Sequence, residues 1–125
     1  MQKVVLSVRL IYGLMWVVFG LNFFLHFLQN PAMSEAGMAF TGALFATGYM
    51  FPLVKVVEIV CGALLLSGRY VALALVLLAP ILVGIVALHV FLNPEGIPMA
   101  VILLTMHVFL MAHYRSAYAG MLQAK

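Results

Sequence analysis

The run from Leu10 to Leu28 contains no Lys, Arg, Asp or Glu. It has the length a helix needs to cross the hydrocarbon core of a bilayer, about 20 residues. Similar runs occupy 70–92 and 97–114, broken by Asn93-Pro94-Glu95-Gly96, a strong turn signal. A chain built from such runs folds as helices in lipid, because each backbone N–H and C=O must be satisfied within the span. Composition agrees: 67% of the 125 residues are apolar, only 7% are charged, and the mean hydropathy is +1.24. A soluble domain carries roughly 25% charged residues to face water. The alternative, a helical core buried in a large soluble complex, would still keep polar connecting faces. The fold class expected is therefore all-α, an integral membrane four-helix bundle.

Residues 1–125 form a single transmembrane domain, with spans at about 7–28, 51–68, 70–92 and 97–114. Lys3 and Arg9 precede the first apolar run, as in a signal peptide, but the run exceeds the 7–15 apolar residues usual there. It reads as a retained span ending at Gln29-Asn30-Pro31. The stretch between Ala36 and Ser67 is too short for two full spans and a connection. Gly37, Gly42 and Gly48 also weaken its first half as a free-standing helix. Residues 37–49 are thus expected to form a short interfacial helix, with Pro52 in the first turn of the second span, where a missing N–H costs little. Pro80 falls inside the third span and reads as a tolerated kink. Gly13, Gly20, Gly62 and Gly84 read as packing positions.

This count places Lys3, Arg9, Arg69, Arg115 and Lys125 on one side, while the opposite loops hold Glu35 and Glu95 and no Lys or Arg. The positive-inside rule then puts both ends in the cytoplasm. A fifth span at 36–51 would split the cations. The net charge of +3 comes without a basic run or a basic helix face, so nucleic acid is not an expected partner; the lipid bilayer is. The single cysteine, Cys61, excludes an internal disulfide and a CxxC pair.

Ionisable side chains at mid-membrane cost at least about 2.5–3.5 kcal/mol, so each one in a span is a site candidate. Lys55 and Glu58 stand at i, i+3 and share a helix face in the outer half of the second span. Asn22 and His26 lie one turn apart near the outer end of the first, His89 near the outer end of the third, and His107 near the middle of the fourth. One acid, one ammonium and three imidazoles could bind a polar ligand or relay protons. Each has a plainer role available: an internal ion pair for Lys55–Glu58, wet interfacial imidazoles for His26 and His89, and helix–helix hydrogen bonds for Asn22 and His107. The histidines show no local ligand spacing, so no metal is expected, and a bis-histidine haem finds no more support. The methionines and Cys61 read as packing.

The order Arg9, Gly13, Gly20-Leu-Asn-Phe-Phe, then Lys55-Val-Val-Glu58, Gly62, Gly68-Arg69 and Leu88-His89-Val-Phe-Leu-Asn-Pro resembles the DoxX and DoxX-like family of small four-span bacterial membrane proteins. The resemblance covers nearly the whole chain, through short motifs partly set by membrane composition. It implies a place in the bacterial inner membrane and a polar and glycine pattern at Lys55, Glu58, Gly62, Gly68 and His89. The family takes its name from small subunits of an archaeal thiosulfate:quinone oxidoreductase, and some relatives serve redox or oxidative-stress systems. A quinone and a redox partner protein are the candidates it brings; an oligomer stays open. A second cysteine, a nucleotide fingerprint and a quinone motif are all missing, which argues against independent catalysis. A small-molecule or lipid binding and transport module, and a structural subunit of a membrane complex, are the competing readings.

Overall fold

The computed structural model describes residues 2–25 and 33–121. It is all-α: α1 (Gln2–Leu25), α2 (Glu35–Ala46), α3 (Met50–Ser67), α4 (Val71–Phe91) and α5 (Ile97–His113), with 3-10 turns at Pro94–Gly96 and Arg115–Tyr118. Four of these, counting the Pro94–Gly96 turn with α5, are long and apolar enough to cross a membrane. The 12-residue α2 is too short to do so. The chain is an all-α four-helix membrane bundle. Relative to the sequence expectation, α1 starts earlier, because Gln2–Leu6 continue the helix without a breaker. The segment between the first two spans is helical at Glu35–Ala46, with Thr47–Tyr49 forming the turn into α3.

The spans alternate in direction, and each packs on two neighbours: α1 and α4 both contact α3 and α5. Large apolar side chains line the outside as well as the core, among them Leu14, Leu73, Val83 and Phe91. That is the arrangement lipid permits and water does not. The interior holds Tyr12, Trp16, Cys61, Leu65, Leu75, Leu78, Leu82, Leu103 and Leu110.

The α1–α3 contact is the closest because two glycines meet there. A Cβ built on Gly62 would lie 2.8 Å from the Gly13 carbonyl oxygen, and one on Gly13 would lie 2.9 Å from that of Gly62. Two turns further along α1, Gly20 packs against Ile59. Such small residues let backbones approach where no hydrophobic force drives helices together in lipid.

The α3–α4 link is tight. Gly68 caps α3 in the left-handed region (φ 78°), its N–H donating to Leu64 O at 3.0 Å, and Tyr70 is also left-handed at φ 55°. The Arg9 guanidinium lies on Gly68, so a cation from α1 faces the carbonyl end of α3. At the same end of the bundle, buried Tyr118 donates from its hydroxyl to Ala72 O at 2.9 Å, pinning the Arg115–Tyr118 turn to α4. Burial pushes the Tyr118 phenol up, so it stays a donor.

At the opposite end α2 is held at both of its termini. Ser34 is its N-cap, accepting from Gly37 N–H at 3.1 Å while donating from its hydroxyl to Leu92 O. The Ser34 N–H donates to Asn93 Oδ1 at 3.0 Å, which ties α2 to the end of α4. At its other end Phe45 packs edge-on against Phe23 of α1 and Phe51 of α3, whose rings stack at 5.4 Å.

Candidate functional site

Among the described residues, three groups of buried polar side chains lie within the spans or at their ends. The first is on α3, whose interior face carries Glu58, Cys61, Gly62 and Leu65. Lys55 Nζ and Glu58 Oε2 are 3.2 Å apart, with side-chain exposures of 19% and 4%. Glu58 therefore points into the bundle while Lys55 reaches its margin. The ammonium also lies 5.6 Å from the centroid of Phe51, beneath the aromatic cluster that anchors α2. The pair cancels its own charge, and the cation–π contact adds a second partner for the ammonium.

The second group joins α1 to α5. Tyr12 Oη and His107 Nδ1 are 2.7 Å apart, and both residues are buried. Trp16 stands one turn along α1 with its ring edge-on to Tyr12, centroids 5.8 Å apart. A tyrosine hydroxyl that donates to Nδ1 leaves the proton of a neutral imidazole on Nε2. That nitrogen is buried and faces the Leu75 carbonyl of α4, although no partner meets hydrogen-bond geometry there. The buried Trp16 Nε1 is likewise without a partner in such geometry. These groups lie where α1, α4 and α5 converge.

The third group closes the end near α2. His89 Nδ1 lies 2.7 Å from Ile85 O, and because a carbonyl only accepts, Nδ1 carries the proton. The imidazole covers Gly96 so closely that a Cβ there would lie 3.2 Å from His89 Cγ and nearer still to Cδ2 and Nε2. Buried Asn93 sits alongside, receiving Ser34. Asn22, also buried, makes polar contacts of its own at the matching end of α1.

The expected set is thus distributed over two levels. Lys55, Glu58, His89 and Asn22 occupy the half of the bundle capped by α2, and His26 lies outside the described residues. His107 stands ten residues into α5, about 15 Å along the helix from its start, and pairs with Tyr12. Tyr12, Asn93 and Ser34 were not singled out by the sequence. Their signals were present but weak: a phenol in mid-span requires an acceptor, and a Ser one place before an acidic helix start is an N-cap.

Among the described residues no three His, Cys, Asp or Glu converge in a metal-binding arrangement. The surface of the described residues carries two shallow grooves of about 260 and 210 Å³. The larger is apolar, between α4 and α5, lined by Val83, Val86, Ala87, Val90, Phe91 and Leu104. It would suit an isoprenoid tail but offers a quinone carbonyl no side-chain donor. Inside the bundle Tyr12 is engaged with His107 and His89 Nδ1 with Ile85, while Trp16 Nε1 and His107 Nε2, buried without a partner in hydrogen-bond geometry, open onto neither groove. A quinone headgroup does not fit these residues as packed. Compared with family models, curated proteins and solved structures, the chain has no match.

Proposed function

We propose that the chain is a DoxX-like protein of the bacterial inner membrane, with both ends in the cytoplasm, and an accessory subunit of a quinone- or thiol-linked redox system. The family and the redox role rest on the sequence resemblance. The structural observation that carries the site assignment is the burial of Glu58 against Lys55 within a span. Leucine would serve packing there without the cost of desolvating charge, so the pair is a candidate for proton handling. In this reading Glu58 holds or releases a proton, Lys55 balances its charge, and the partner protein supplies the electron carrier. The quinone would then bind at the interface with that partner rather than inside the bundle.

The test is affinity purification from native membranes, scored for a redox protein that copurifies, with quinone-dependent turnover of the complex measured for wild type, Glu58→Gln and Lys55→Met. The expected outcome is a specific redox partner, with turnover lowered by Glu58→Gln while the complex stays assembled. Absence of any redox partner overturns the role. Full turnover in Glu58→Gln overturns the site.

The margin position of Lys55 favours a second reading, in which a small polar molecule or lipid headgroup reaches the pair from the side. That reading predicts ligand binding that Lys55→Met abolishes without any partner protein present.

A further inference from the structure

The second groove lies at the other end of the molecule, away from all three buried polar groups. It runs between the start of α1 and the end of α5, has a volume of about 210 Å³, and is lined by Val5, Phe109, Ala112, His113 and Arg115. Its floor is apolar, from Val5, Phe109 and Ala112, and its rim is basic, from His113 and Arg115. We propose that this groove is a binding site for an anionic phospholipid, with the phosphate on Arg115 and His113 and an acyl chain along Phe109 and Ala112.

Four observations support it. Arg115 is not on a loose tail, because the turn it begins is fixed to α4 by the Tyr118–Ala72 hydrogen bond of 2.9 Å. One guanidinium nitrogen of Arg115 folds back on the Ala112 carbonyl at 3.4 Å, capping the last turn of α5. No other hydrogen bond engages Arg115 among the described residues, and the guanidinium has five N–H donors to offer. His113 is braced by Tyr114, whose ring meets it edge-on at 4.8 Å. The charge of the whole end is also complementary. Lys3, Arg9, Arg69 and Arg115 gather there, with no acidic residue among the described residues of that end, while Glu35 and Glu95 lie at the other. A basic recess between spans at headgroup depth suits an anionic lipid phosphate, and the apolar floor continues into the acyl region.

The proposal is tested by native mass spectrometry of protein reconstituted with equal amounts of phosphatidylglycerol and phosphatidylcholine. Wild type is expected to retain phosphatidylglycerol preferentially. Arg115→Gln should cut that retention about fivefold, the effect of one basic side chain near an anionic surface. Arg69→Gln, at the same end but off the groove, should leave it unchanged. If Arg115→Gln does not fold, Ala112→Phe, which fills the groove floor, is expected to lower retention in its place. Inorganic phosphate at millimolar concentration should not displace the lipid. Equal retention of the two lipids overturns the proposal. So does a loss as large in Arg69→Gln, unchanged retention in both groove variants, or displacement by phosphate alone.

Discussion

Tyr12 and His107, 95 positions apart in sequence, share a 2.7 Å hydrogen bond between the first and fourth spans. Both are buried, so neither has water as an alternative partner. Removing one leaves the other unsatisfied, at a cost of about 1–3 kcal/mol. Tyr12→Phe and His107→Leu should each lower the detergent unfolding temperature, and the double variant should lose less than the sum. Strict additivity would show that the hydrogen bond contributes nothing.

Lys55–Glu58 calls for the same design with a different expectation. Lys55→Met strands a buried carboxylate, and such half-removals cost ~3–5 kcal/mol in fully buried pairs, less where one partner reaches the surface as Lys55 does. Glu58→Leu leaves an ammonium that can still reach the margin, so it should be milder. The double variant Lys55→Met/Glu58→Leu should recover most of the loss. Chemical unfolding of the four proteins reads the coupling directly. Equal destabilisation by the two single changes would argue against the asymmetry in burial.

At the glycine crossing, an added methyl has no room. Gly62→Ala should force α1 and α3 apart and cost about 1–3 kcal/mol, the range for overpacking. Gly84→Ala is the control: nothing lies within 4 Å of a Cβ there, and alanine is the better helix former. It should be neutral or stabilising in the same thermal assay.

Asn93→Ala removes the side chain that receives the Ser34 N–H, and Ser34→Ala removes the N-cap of α2. The cap alone is worth about 1 kcal/mol. Hydrogen exchange in α2 should accelerate in both variants, while that in α3 and α4 stays close to wild type. Unchanged protection of α2 would show that the Phe45 contacts hold it unaided.

Orientation has a simple readout. Cysteines at Tyr70 and at Thr47, both exposed, lie at opposite ends of the bundle, whereas the native Cys61 is buried. In intact cells an impermeant thiol reagent should label Thr47→Cys and spare Tyr70→Cys. The reverse pattern would invert the proposed topology.

How much of this was legible in the sequence depends on the kind of interaction. The spans were visible because lipid imposes a length and a composition on every helix that crosses it. Lys55 and Glu58 were visible because charge in such a run is conspicuous and i, i+3 spacing brings them together without tertiary knowledge. The pairing of His107 was not. Tyr12 counts with the apolar residues in the composition of the span, and which phenol meets which imidazole depends on how α1 and α5 rotate against each other. The same holds for Asn93, which reads as a turn residue until Ser34 is brought over it by the path of the chain.

That Tyr12 of α1 finds its hydrogen-bond partner on α5 has a consequence for biogenesis. Spans enter the membrane in order, so the Tyr12 hydroxyl must wait in lipid, or in the insertion machinery, while three later segments are made. The α1–α3 glycine crossing can form during that interval, but it leaves the phenol unanswered. Completion of the fourth span is therefore the step at which that phenol first meets the imidazole it is bonded to in the finished bundle.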